Sequence, residues 1–139
     1  MTEMTAAQSR NLHVGIDIGS TTVKAVVLDA DTNEELFGVY RRHGSQQIQA
    51  TLRVLDEIVA RFPFAHIRCA LCGSGSEDIA RGIGAPFIQE VVAGATAVRA
   101  LYPQANCTIE LGGQDAKMIF FRHDESGVQE LGDMRMNGS

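Results

Sequence analysis

Apolar side chains recur along this chain with two periods, and the change from one to the other sets out its elements. His13 to Ile18 and Thr22 to Leu28 are short runs rich in apolar and β-branched residues, joined by the small-residue segment Asp17-Ile-Gly-Ser-Thr-Thr22. The pattern predicts a hairpin. A third strand over 35–42 follows the turn signal Asp31-Thr-Asn33, which makes the opening of the chain an antiparallel meander.

The period then lengthens. Ile48, Leu52, Leu55, Val59 and Phe62 advance by steps of four and three, which predicts a helix capped by Ser45, stopped by Pro63 and packed on the sheet through that face. Ile67 to Leu71 reads as a buried strand running into Gly73-Ser-Gly75. A helical turn capped by Ser76 leads on to Gly82 and Gly84. A helix rich in small residues spans about 88–102 and stops at Pro103, its Ala93, Gly94, Ala95 and Ala97 suited to close packing. From Cys107 the strand pattern returns: Thr108 to Leu111, a Gly112-Gly113 turn, Ala116 to Arg122, a polar turn over 124–127, and Val128 to Leu131. An antiparallel meander followed by helix-crossed strands predicts an α/β fold with a mixed sheet of ribonuclease-H-like type and flanking helices, rather than an all-parallel doubly wound sheet.

Length and charge narrow the function. At 139 residues and 45% hydrophobic, the chain suits one compact domain or one and a fraction, short of a two-lobed enzyme. Residues 1–11 read as a disordered tail, 12–105 as a first subdomain, and 106–139 as the start of a second. A net charge of -5 with both signs interspersed leaves no basic stripe, which sets aside nucleic acid and anionic membrane as partners. With neither signal peptide nor membrane span in the sequence, a cytoplasmic location is expected. Three cysteines, Cys69, Cys72 and Cys107, then read as thiols. Cys69-Ala-Leu-Cys72 has the spacing of a metal knuckle, but strand alternation points the two to opposite faces, and all three are expected to be buried. His13, His43, His66 and His123 share no ligand-like spacing and read as bystanders.

The chemistry lies in a repeat. Asp17-Ile-Gly-Ser-Thr-Thr-Val-Lys24 aligns with Glu110-Leu-Gly-Gly-Gln-Asp-Ala-Lys117 at one offset of 93 residues, matching carboxylate, apolar residue, glycine, small residue and lysine. Each copy falls in a hairpin turn. Glycines let backbone N–H groups approach oxygen closely, hydroxyls add donors, and a carboxylate can hold hydrated Mg²⁺, which together suit polyphosphate. One such turn is what any hairpin uses; two aligned copies favour a clamp. Neither a Walker loop nor a Gly-x-Gly-x-x-Gly dinucleotide fingerprint occurs.

These turns resemble the two phosphate motifs of the superfamily containing actin, sugar kinases, acetate kinase and Hsp70. More narrowly, Gly15 to Lys24, Phe87-Ile-Gln-Glu90 with Gly94-Ala95, Glu110 to Lys117 and Asp133-Met-Arg-Met-Asn137 resemble the activators of 2-hydroxyacyl-CoA dehydratases and the related benzoyl-CoA reductase components. The resemblance runs from about residue 13 to the end, and Gly-Gly-Gln-Asp-x-Lys is its most specific string. It implies an actin-type ATPase that binds ATP and Mg²⁺, forms a homodimer sharing one 4Fe-4S cluster, and passes a low-potential electron to a partner dehydratase or reductase. The family's first cluster cysteine follows a Met-Asn string, so the cluster ligands are expected beyond Ser139 and none within this chain. Without them and the adenosine pocket, the chain alone is expected to bind ATP poorly and to be inactive. Glu110 departs from the family's aspartate and reaches one methylene further.

The roles expected in the intact enzyme follow. Asp17 would hold Mg²⁺ through water, and Gly19, Ser20, Thr21 and Thr22 would donate to the terminal phosphates. Glu110 and Gln114 would orient an attacking water, within a second phosphate turn of Gly112, Gly113, Gln114 and Asp115. Lys24 and Lys117 read either as point charges on phosphate or as outward strand residues. Asp115 reads as a support for the water or as a turn residue bonding its own backbone. The same loops would also serve a small-molecule kinase acting on a sugar or carboxylate, or a nucleotide-switched assembly module.

Overall fold

The computed structural model describes residues 9–112 and 115–138 of the chain. Contacts divide it into two compact units, one ending at Phe87 and one beginning at Ile88. The expected boundary lay between residues 105 and 106, and the two divisions assign the helix before Pro103 differently.

In the first unit, strands β1 (Asn11–Ile18), β2 (Thr22–Asp29) and β3 (Glu35–Arg42) form the meander, and β4 (His66–Cys72) adds to the free side of β1. The sheet order is β3-β2-β1-β4, with β1 parallel to β4 and the other pairs antiparallel. It is the mixed sheet expected from the pattern. A parallel pair needs a crossover, and helix α1 (Gln47–Arg61) supplies it. Alternation along β1 buries Leu12, Val14, Ile16 and Ile18 on one face, where Val23, Ala25 and Val27 of β2 join them. The turn into β3 is held by the Asp29 carboxylate, whose Oδ1 accepts the amides of Asp31 and Thr32 at 3.0 Å each. Those amides hold the Asp29 carboxyl below its ordinary pKa.

Helix α1 packs through a face rotated from the expected stripe, of which Leu55 and Phe62 still pack against the core. Ala50, Thr51, Val54 and Ile58 are buried, whereas Ile48, Leu52 and Val59 are more than half exposed. The sheet admits a close approach, and smaller side chains permit it. Thr51 is tolerated because its hydroxyl donates to the Gln47 carbonyl at 2.8 Å. The larger stripe instead borders a groove of about 230 Å³ with Ile79 and Ile83 of helix α2 (Glu77–Ile83). Of the two expected caps, only Ser76 takes the N-cap position, and without a capping hydrogen bond. Ser45 sits outside α1 at φ +66°, and Ser76 occupies the N-cap of α2 with its hydroxyl turned back to the Gly73 carbonyl at 2.8 Å. Gly84 ends α2 in the left-handed conformation, at φ +70°.

The second unit comprises α3 (Glu90–Leu101), β5 (Cys107–Leu111), β6 (Asp115–His123) and β7 (Gln129–Gly138), the strands forming an antiparallel sheet in that order. Its strand β7 runs well past the expected Leu131. Ile119 and Phe121 of β6 meet Ala95, Val91 and Val98 of α3 in a small core. Of the four small residues expected to pack, only Ala95 is buried. Gln129 is buried at the helix's end and donates to the Ala105 carbonyl at 2.7 Å.

No helix among the described residues is long and apolar enough to cross a membrane.

Candidate functional site: two carboxylate-lysine turns

The β1-β2 register sets Asp17 opposite Lys24, and the lysine Nζ lies 3.0 Å from Asp17 Oδ2. Lys24 leaves the strand outward, with its ammonium 5.8 Å from the Tyr40 ring centre. The other carboxylate oxygen, Asp17 Oδ1, is buried and has no hydrogen-bond partner among the described residues. It lies against Gly73, where a Cβ would come within 2.6 Å of it and 2.4 Å of the Ile18 carbonyl. Gly73 also sits at φ +99°, so only glycine closes this contact without strain. A buried acceptor with no donor is costly, so Oδ1 holds the carboxylate against Gly73, while the open edge at Oδ2, beside Lys24, is the one the water shell of a divalent cation would meet. The donor set therefore fits hydrated Mg²⁺.

Beyond Asp17 the chain turns sharply, with the Gly19 amide donating to the Thr22 carbonyl at 2.9 Å. Ser20 and Thr21 are exposed, whereas Thr22 is buried. The flanks of the turn are bonded to the rest of the unit: the Ile18 carbonyl accepts the Gly75 amide at 3.0 Å, and the Thr21 carbonyl accepts the His43 amide at 3.1 Å. His43, a bystander by its spacing, is buried just past β3, and its Nε2 lies 3.1 Å from the Gly19 carbonyl. Its signal was the β2-β3 register, which pairs Thr22 with Arg42 and so sets residue 43 beside residue 21.

In the second unit the β5-β6 register sets Glu110 opposite Lys117, as the repeat requires. Here, however, the lysine is buried and serves three carboxylates. Nζ lies 2.8 Å from Glu90 Oε2 at the start of α3, and 3.8 Å from both Glu110 Oε1 and Asp115 Oδ2. The hydrogen bond to Glu90, helped by the charges of Glu110 and Asp115 and opposed by burial, raises the Lys117 pKa above its ordinary value. Asp115 also closes the turn, its carbonyl accepting the Gly112 amide at 2.9 Å. A Cβ on Gly112 would fall 2.8 Å from Asp115 Oδ1, so the carboxylate lies over the glycine. Gly113 and Gln114 lie outside the described residues. Glu90 escaped the sequence reading as a site residue, because nothing in a linear pattern ties a helix start to a strand 27 positions on.

Cys72 is half-buried and lies opposite Asp17 in the β1-β4 register. Cys69 is half-buried, and burial raises its thiol pKa, while Cys107 is exposed, contrary to expectation, because β5 presents that position outward. Among the described residues, no group of three or more His, Cys, Asp or Glu is arranged to hold a metal ion.

No protein-family model and no curated protein matches the chain at the level of sequence. Solved structures do match. The activator of the 2-hydroxyisocaproyl-CoA dehydratase from Clostridium difficile, solved with bound ADPNP, is similar with a TM-score of 0.73 and 27% identity, over 91% of this chain and 46% of that one. Component A of the (R)-2-hydroxyglutaryl-CoA dehydratase from Acidaminococcus fermentans gives 0.70 and 25%, over 91% and 47%. The ethanolamine utilization protein EutJ from Carboxydothermus hydrogenoformans shares the fold, with a TM-score of 0.66 at 17% identity over 92% and 52%. The fold is that of the actin-like ATPases, and the dehydratase activators to which the motifs point are also structural neighbours. The chain spans about half the length of these relatives.

Proposed function

We propose that this chain is the phosphate-gripping part of an ATP-driven activator that delivers a low-potential electron to a 2-hydroxyacyl-CoA dehydratase or a related CoA-ester reductase. One observation carries the reading: a chain with two carboxylate-lysine turns in matching registers has the fold of an activator solved with a nucleotide analogue bound.

In this reading Asp17 holds the water shell of Mg²⁺ through the open edge of its carboxylate at Oδ2. The turn from Gly19 to Thr22 donates to the terminal phosphates, where charge develops during transfer. Glu110 and Gln114 orient the attacking water, and Gly112, Gly113 and Asp115 shape the second phosphate turn. Lys24 steadies Asp17 across the hairpin, and Lys117 steadies Glu110 and Asp115 from beneath. ATP and Mg²⁺ are bound by the intact protein. A 4Fe-4S cluster shared across a homodimer, held by cysteines outside this chain, carries the electron, and the protein works in the cytoplasm. Residues 12–105 form the first ATPase subdomain and 106–139 open the second.

Anaerobic reconstitution of the full-length protein with iron and sulfide tests this, reading the visible spectrum and ATP hydrolysis together. A cluster chromophore with slow ATP turnover is expected. Turnover without any cluster would overturn the electron-transfer role and leave a kinase or a nucleotide switch.

A further inference from the structure

The Gly19 carbonyl, inside the first turn, accepts from two side chains. His43 Nε2 lies 3.1 Å from it and Gln47 Nε2 lies 3.4 Å away. The His43 tautomer is fixed by its other nitrogen: Nδ1 accepts the Ser45 amide at 3.1 Å, so the ring proton resides on Nε2 and is donated to Gly19. His43 thus holds the turn twice, through its ring at Gly19 and through its own amide at Thr21.

The peptide joining Gly19 to Ser20 is trans, so its N–H points away from its carbonyl. With the carbonyl drawn toward buried His43, the Ser20 amide is directed to the opposite, exposed side of the turn. Donors on a carbonyl also polarise the amide of the same peptide, and the N–H then binds an anion more strongly.

We propose that His43, backed by Gln47, is a positioning residue for nucleotide phosphate: it fixes and polarises the Gly19-Ser20 peptide so that the Ser20 amide meets a phosphate oxygen. The inference rests on the phosphate-binding reading of this turn. It predicts an effect on the charged end of the nucleotide and none on the nucleoside, a split that a purely structural histidine would not produce.

The test is calorimetric titration of the full-length protein with Mg·ATP and, separately, with adenosine. His43→Ala is expected to weaken Mg·ATP about tenfold, the scale of one hydrogen bond to a charged group, and to leave adenosine unchanged. His43→Gln, whose amide nitrogen can occupy the Nε2 position, is expected to recover most of the loss. Gly75→Ala reaches the same carbonyl without touching His43. Its Cβ would stand 2.8 Å from Gln47 Nε2 and push that amide off Gly19, for about a threefold loss through the weaker donor. This second variant decides the matter should His43→Ala fail to fold.

Equal binding of Mg·ATP by wild type and the folded variants, with Asp17→Asn still impaired, would overturn the role of His43 alone. Parallel losses for Mg·ATP and adenosine would do the same. Binding unaffected by Asp17→Asn would instead overturn the phosphate reading on which the inference rests.

Discussion

Asp17 faces Lys24 across one hairpin and Glu110 faces Lys117 across another, in registers that the 93-residue repeat reproduces pair for pair. What surrounds the two lysines differs. The Lys24 side chain is 46% exposed and sits 3.0 Å from its carboxylate, whereas that of Lys117 is 9% exposed and sits 3.8 Å from Glu110, nearer to Glu90 of α3. In the first turn neither partner is buried, the Asp17 side chain being 29% exposed, and only its Oδ1 is enclosed, without a donor among the described residues. In the second the lysine is the buried partner, and its carboxylates reach outward. A repeat of residue types fixes which groups face each other; burial fixes which of them remains available to a ligand.

The largest effect is expected where the first turn is most tightly closed. Gly73→Ala would add strain at φ +99° and drive a Cβ to 2.4 Å from the Ile18 carbonyl. Chemical denaturation is expected to register a loss of about 3 kcal/mol, combining the cost of a positive-φ side chain with overpacking. A loss below about 1 kcal/mol would mean that the turn yields, and that Asp17 is not held as described.

The two lysines then separate the turns directly. Lys117→Met leaves three carboxylates around an apolar side chain and is expected to cost about 2 kcal/mol, a buried-pair loss reduced because each carboxylate is partly exposed. Lys24→Met, at a pair open to solvent, is expected to stay within about 0.5 kcal/mol. Equal costs would erase the distinction between a structural and a surface lysine.

A smaller effect follows from pH. The folded pKa of Lys117 lies above its ordinary value of 10.5, so its contribution is complete below that value and is lost as pH rises through the folded pKa. Urea midpoints should therefore fall, as pH rises above 10.5, by more in wild type than in Lys117→Met. Parallel midpoints would show that Lys117 gains nothing from its carboxylates.

Much of this was legible in the chain. The meander, the crossover helix, the buried strand after it and the two turns follow from local period and turn chemistry, which act over a few residues. The face of α1 was legible only at Leu55 and Phe62, because a period counts apolar residues without weighing size, and the sheet selected Ala50 and Thr51 over Ile48 and Leu52. Ser45 and Ser76 carried the residue type of a cap, but their hydrogen bonding was decided by the loop that precedes each helix. His43 and Glu90 were illegible for another reason: each acts across 24 or more positions, through a contact that exists only once strands and helices are packed.

Under the proposed function, the Asp17 carboxylate serves nucleotide phosphate through Mg²⁺. Titration of the full-length protein and its Asp17→Asn variant with ATP, with and without Mg²⁺, tests it most directly. Mg²⁺-dependent binding is expected, which Asp17→Asn weakens at least tenfold, about 1.4 kcal/mol, while removing most of the Mg²⁺ dependence. Equal binding by the two proteins, or binding indifferent to Mg²⁺ in both, would contradict it.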